Sequence, residues 1–225
     1  MSGIGGRRPA GQWLDLSQLI YPGMPVYPGD PPVRIHRLAA HDRDGCQLSE
    51  LAMSCHSGTH LDAPLHYHPD GAAIDQIDPD RLVLTAWVSR IDIDGQGCLD
   101  AAGIDWSGWR PGDGLLLAVP CSSDAVSRFS FASGSHDILT RHNLPLIGTN
   151  MDTFVEAGDP LGEPGLHLRL LGAGTLLLEN LSRLETLAGR RVDLIALPLR
   201  IAGADGAPAR VIARAIACNP VSDDI

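Results

Sequence analysis

The chain has 225 residues, and all 17 of its Lys-plus-Arg residues are arginines, because lysine is absent. That excludes Schiff-base chemistry, pyridoxal phosphate attachment and the phosphate-binding lysine of a G-x-x-x-x-G-K-[ST] loop. The 27 acidic residues and formal charge of -10 argue against nucleic acid or an anionic membrane surface as a partner.

Hydrophobic residues make up 44% and aromatic residues 4% of the chain, which predicts an aliphatic core. Residues 1–11 are rich in glycine and arginine and are predicted to be mobile. They lack the apolar run of a signal peptide, and no stretch approaches the roughly 18 apolar residues of a membrane span. Cys46, Cys55, Cys98, Cys121 and Cys218 are odd in number and form no C-x-x-C pair, so reduced thiols in a cytoplasmic protein are expected.

Trp13-Leu14-Asp15-Leu16 alternates as a strand does. Five prolines within residues 21–32 rule out a helix or central strand and predict a structured loop. Short apolar strands are predicted over 33–36, 48–53, 82–93, 114–119, 146–148, 175–178, 192–197 and 210–216. Short helices are predicted at 135–142, capped by Ser135, and at 166–171, stopped by Gly172. Glu156, Asp159 and Glu163 fall in a Gly/Pro-rich stretch that reads as a solvated loop. The pair Asp205-Gly206 between the last two strands predicts a closing antiparallel hairpin. With no repeat and no break in composition, residues 12–225 read as one α/β domain.

The most informative stretch is Cys55-His56-Ser57-Gly58-Thr59-His60-Leu61-Asp62-Ala63-Pro64-Leu65-His66-Tyr67-His68, which holds four of the nine histidines. His56 and His60 have the i, i+4 spacing of a helical zinc site, but Gly58, Thr59 and Pro64 oppose a helix and the glutamate of H-E-x-x-H is missing. In an extended segment, residues 56, 60, 62 and 66 share parity and project to one side, with Gly58 serving a turn. A lone histidine is more often a surface or core residue than a ligand. Two imidazoles and one carboxylate clustered in this way, however, are the ligand count of an open catalytic Zn²⁺ or Mn²⁺ site. A Ser/His/Asp hydrolase is disfavoured, because G-x-S-x-G and HGGG are both absent. A Cys55 nucleophile beside His56 stays open, although neighbours on a strand point to opposite faces.

His56-Ser-Gly-Thr-His60-Leu-Asp62-Ala-Pro-Leu-His66 resembles the H-x-G-T-H-x-D-A-P-x-H signature of the cyclase family of metal-dependent hydrolases, which includes bacterial kynurenine formamidase and isatin hydrolase. Val26-Tyr-Pro-Gly-Asp30 is similar to the family's PGD loop, Leu166-His-Leu-Arg-Leu-Leu171 to its histidine helix, and Glu179-Asn-Leu181 to its E-N-L strand end. Leu197-Pro-Leu-Arg-Ile and Ala204-Asp-Gly-Ala-Pro-Ala-Arg-Val resemble its C-terminal hairpin.

The resemblance implies a swivelling β/β/α fold with a mixed sheet, assembled as a homodimer or higher homo-oligomer. It implies that His56, His60 and Asp62 hold one divalent metal ion, that Asp62 bridges to a second held by His167 and Glu179, and that His66 is the catalytic acid/base. It further implies substrate contact by Tyr27, which stands where kynurenine formamidases carry a tryptophan. Residues 118–124 and 131–135 do not resemble the family's Thr-Gly-Trp loop, so the implied chemistry carries over further than the implied specificity. That chemistry is hydrolysis of a small amide by metal-activated water, with an N-formyl-arylamine as first choice and a cyclic amide such as isatin as second. A non-catalytic metal-binding protein is the third reading; against it stands His66, for which a structural site closed by four protein ligands has no use.

Overall fold

The computed structural model of the protein describes residues 11–94, 97–120, 130–159 and 164–217. Expectations that fall on residues 1–10, Cys121, Glu163, Cys218 and the middle of the atypical 118–135 segment lie outside the described residues.

The strands are β1 (Leu14–Asp15), β2 (Arg34–Ala39), β3 (Leu48–Ala52), β4 (His60–Asp62), β5 (Val83–Arg90), β6 (Cys98–Leu99), β7 (Gly114–Ala118), β8 (Ser130–Phe131), β9 (Leu146–Thr149), β10 (Leu176–Glu179), β11 (Arg190–Pro198) and β12 (Gly206–Ala215). Among the described residues, three α-helices accompany them: α1 (His41–Asp44), α2 (Ser135–Arg141) and α3 (Gly165–Gly172). None is long and apolar enough to cross a membrane.

β5, β7, β9 and β10 pair in parallel, and β5 and β12 flank β11 antiparallel, so the expected closing hairpin of β11 and β12 forms. Strands buried on both faces show continuous apolar runs, here Gly114-Leu-Leu-Leu-Ala118 and Leu176-Leu-Leu. Alternate side chains enter two separate cores. Ala86, Val88, Leu116, Leu176 and Leu178 join Leu61 in one, while Trp87, Leu115, Leu117, Ile147 and Leu177 meet Leu139 of α2 and Leu166 and Leu170 of α3 in the other.

The three-residue β4 closes the sheet on itself. It pairs with β10 on one side, Glu179 opposite His60 and Leu177 opposite Asp62, and with the start of β12 on the other, Gly206 opposite Asp62. Because Leu61 points into the first core, period-two geometry turns His60 and Asp62 to the opposite face, where α3 packs.

Two local expectations are overturned. Ser135 is the first residue of α2 and does not cap it; the cap position falls on Gly134, which has no side chain. The carboxylate of Glu156 takes over, accepting the N–H groups of Gly134 at 2.8 Å and His136 at 3.0 Å, so Glu156 is buried rather than solvated. The side chain of Asp159 is likewise out of solvent, in an ion pair with Arg169 of α3.

Candidate metal centre

The signature segment does not run as one strand. Ser57 closes a turn onto the Ser54 carbonyl, Gly58 adopts φ +66°, and Pro64 begins a single 3-10 turn that ends at His66. Period two therefore holds for His60 and Asp62 alone; His56 and His66 reach the same place from the turns on either side, because a left-handed Gly58 and a Pro64 without N–H interrupt the strand. Thr59 anchors the turn: its hydroxyl donates to the Asn180 carbonyl at 2.6 Å and accepts the Gln18 N–H at 2.9 Å.

Asp62 lies at the centre. Its Oδ1 is 2.8 Å from His56 Nδ1 and 3.3 Å from His60 Nε2, and its Oδ2 is 3.8 Å from His167 Nε2. Glu179, at the end of β10, places Oε2 3.4 Å from His60 Nε2 and Oε1 3.1 Å from His167 Nε2, while Oε1 also accepts the Phe154 N–H at 3.1 Å. His60, Asp62 and Glu179 each bring one ligand atom within 4.8 Å of the others, and so do His56, Asp62 and His66. All six residues expected in the site are therefore brought together, and Tyr27 lines the same cavity of about 270 Å³.

The donor set fits a cation on three observations. The Gly58 carbonyl can only accept, so His60 donates Nδ1–H to it at 2.8 Å, and in the neutral ring the Nε2 lone pair faces the oxygens of Asp62 and Glu179. Three acceptors converging in a buried space need a positive charge between them. Within the expected ligand set, His60 Nε2 and Asp62 Oδ1 stand 3.3 Å apart, which matches the roughly 3.4 Å expected for two ligands bound at about 2.1 Å in a tetrahedral site. The buried Nδ1 of His167 finds no hydrogen-bond partner among the described residues, as expected of a polar group whose surroundings are completed by a water or an ion.

Without an ion, protons supply the charge. Burial alone would push His60 down, but the carboxylates of Asp62 and Glu179 hold it well above the usual imidazole range. Burial likewise opposes and Asp62 reverses the shift of His56, and His167 is raised by Glu179 against its burial. Asp62 is buried, yet its imidazole neighbours keep its carboxyl far below the usual range. His66 goes the other way, lowered chiefly by burial, which favours the neutral base. Burial pushes the Cys55 thiol up, with the Asp205 charge adding to it, and this opposes a thiolate nucleophile there.

Sequence reasoning missed Asp205, read as a turn residue. Its Oδ2 lies 3.0 Å from both His56 Nε2 and His66 Nδ1. Tyr67 was passed over too, although its ring sits 4.4 Å from that of His66 and 5.1 Å from that of His167. Tyr67 is adjacent to an expected site histidine, a signal that was available; Asp205 had none beyond the quoted hairpin motif. Of the unassigned histidines, His68 hydrogen-bonds the Leu168 carbonyl at 2.9 Å and so ties the signature segment to α3, while His136 bonds Glu156 and His142 stacks on Trp106.

Comparison with known proteins identifies the family. A family model described as "Putative cyclase" matches residues 14–152. The chain is 33% identical to a kynurenine formamidase of Salinibacter ruber, over 89% of this chain and 96% of that one, and 34% identical to one of Sphingopyxis alaskensis, over 90% and 98%. Among solved structures, isatin hydrolase A of Labrenzia aggregata bound to benzyl benzoate superposes with a TM-score of 0.72 at 25% identity, covering 91% of this chain and 93% of that one. A structure described as a potential metal-dependent hydrolase with cyclase activity gives a TM-score of 0.75 at 25% identity, covering 93% and 99%.

Proposed function

Because this chain belongs to the cyclase family, we propose that it hydrolyses the C–N bond of a small amide, with an N-formyl-arylamine of the kind a kynurenine formamidase opens as its substrate. The observation that carries this reading is the convergence of His56, His60, Asp62, His167 and Glu179 beside His66 around one cavity.

In this reading His56, His60 and Asp62 would hold one divalent ion, Zn²⁺ or Mn²⁺, and His167 and Glu179, with Asp62, would hold a second. Such an ion, when bound, brings the pKa of water toward about 7 and polarises a carbonyl. His66 takes the proton of the attacking water and returns it to the departing nitrogen, a role suited to an imidazole kept neutral by burial. Tyr27 offers an aromatic face to the aryl group. The Phe154 N–H holds the Glu179 carboxylate in place for its ligand role.

The likeness to an isatin hydrolase supports a cyclic amide as the second reading. A hydrolysis screen separates the two. N-formylkynurenine turned over faster than isatin, with loss on chelation and recovery on adding Zn²⁺ or Mn²⁺, is the expected result. Activity unchanged after complete metal removal overturns the proposal.

We also assign a homodimer in the cytoplasm. On the β2–β3 hairpin, Ile35, Leu38, Leu48 and Leu51 are 42–54% exposed, and an uncovered two-stranded ribbon is only marginally stable in water. Cys46, Cys55 and Cys98 are free thiols, as a reducing compartment keeps them. Light scattering that returns a monomer mass overturns the dimer.

A further inference from the structure

Asp205 stands immediately before β12, where the closing hairpin meets the signature strand. Its carbonyl accepts the Ala63 N–H at 2.9 Å, and the next residue pairs with Asp62. Only glycine fits that next position. A Cβ on Gly206 would lie 2.8 Å from His56 Cε1 and 2.9 Å from the Leu61 carbonyl oxygen. The hairpin end is thus pressed against His56, and the Asp205 side chain is delivered between two histidines whose rings stack at 4.1 Å and 27°.

A carboxylate at this position only accepts, so His56 Nε2–H and His66 Nδ1–H both donate to Asp205 Oδ2. In neutral rings the lone pairs then fall on His56 Nδ1, 2.8 Å from Asp62 Oδ1, and on His66 Nε2. These are the states a metal ligand and a proton acceptor need. For His66, Nδ1–H is the tautomer that an unpartnered histidine adopts less often, so a fixed partner is required to hold it.

We propose that Asp205 is the positioning residue that sets the tautomer and ring orientation of His56 and His66 together, linking the metal-ligand set to the proton-transfer histidine through one carboxylate oxygen. This rests on the reading of the site as a hydrolytic metal centre. Asp205 touches neither ion nor substrate in this role; it acts through the two imidazoles.

The test begins with the metal-free, ¹⁵N-histidine-labelled protein at a pH where the rings are neutral. Imidazole nitrogen shifts are expected to report Nδ1–H at His66 in the parent and in Asp205→Asn, whose side-chain oxygen still accepts, and Nε2–H in Asp205→Ala. Calorimetric titration with Zn²⁺ is expected to show about a 10–100-fold weaker affinity for Asp205→Ala, the usual cost of losing an outer partner of a ligand histidine. Asp205→Asn should recover most of that loss. At saturating metal, kcat of Asp205→Ala should stay depressed by about 10-fold or more while KM moves less than about twofold. Gly206→Ala, which keeps the carboxylate but displaces His56, should weaken Zn²⁺ binding in the same direction. Unchanged tautomers together with unchanged Zn²⁺ affinity in Asp205→Ala overturn the proposal, as does an effect confined to thermal stability. If the parent holds His66 as Nδ1–H and binds Zn²⁺ but hydrolyses no amide, the functional reading fails and the assignment of Asp205 stands.

Discussion

The two sides of Asp62 differ in depth. On one side the side chains of His60, Glu179 and His167 are 3%, 4% and 5% exposed; on the other, those of His56, His66 and Asp205 are 18%, 24% and 44% exposed. The inner group is fixed by strand register and helix packing, since Glu179 sits opposite His60 and His167 lies on α3 beneath the second core. The outer group comes from turns and a hairpin end. The contrast separates two demands on such a centre. In the proposed reading, concentrated charge is retained where water is excluded, and proton exchange is placed where water and substrate arrive.

The sharpest way to break this comparison is to remove His66. His66→Ala should lower kcat by about 10²–10⁴-fold with Zn²⁺ content unchanged, read by steady-state kinetics beside elemental analysis; full activity would remove the outer side's chemical role. Next, Glu179→Ala should destabilise the metal-free protein by about 3–5 kcal/mol in urea denaturation, because it strands buried imidazolium charge. Asp205→Ala, on the exposed side, should cost less than about 1 kcal/mol in the same assay. Equal losses would mean that the two sides do not differ in burial energetics.

A third measurement uses pH. His60 in the metal-free fold is raised above its unfolded value of about 6.5, so its contribution is complete below that value and is lost as pH rises through the folded one. The metal-free protein should therefore lose stability as pH climbs above about 6.5, while Zn²⁺ affinity rises over the same span as the ligand imidazoles give up protons. Denaturation midpoints across pH, with and without Zn²⁺, check both; stability that increases with pH in the metal-free form would contradict the proton-bridged arrangement. The smallest effect belongs far from the site, where Arg43→Ala, in an exposed pair with Asp44, should leave the urea denaturation midpoint unmoved.

Much of the inner architecture was legible because strand periodicity is local. The Leu-rich runs of β7 and β10 and the β11–β12 hairpin declared themselves, and eleven contiguous residues carried the signature. His167 and Glu179 were different. Nothing near either one in the chain marks it, and only the family resemblance singled them out. Parity misled at His56 and His66, because a left-handed glycine and a proline turned the chain out of the strand. Glu156 misled as well: a carboxylate among glycines and prolines is solvated unless a helix elsewhere needs its oxygens, and α2 does. Asp205 was beyond reach because its partners lie 139 and 149 residues away, joined only by the β4–β12 pairing.

That pairing has a mechanical side. β4 contributes three residues, yet it covers the open edge of β10 and the first part of β12 at once. If it peels away, two strand edges are left able to recruit strands from other chains. Whatever holds His60 and Asp62 against Glu179 across that seam acts as a clasp on the ring of strands, so losing occupancy should show first as self-association under mild heating, before the leucine cores come apart.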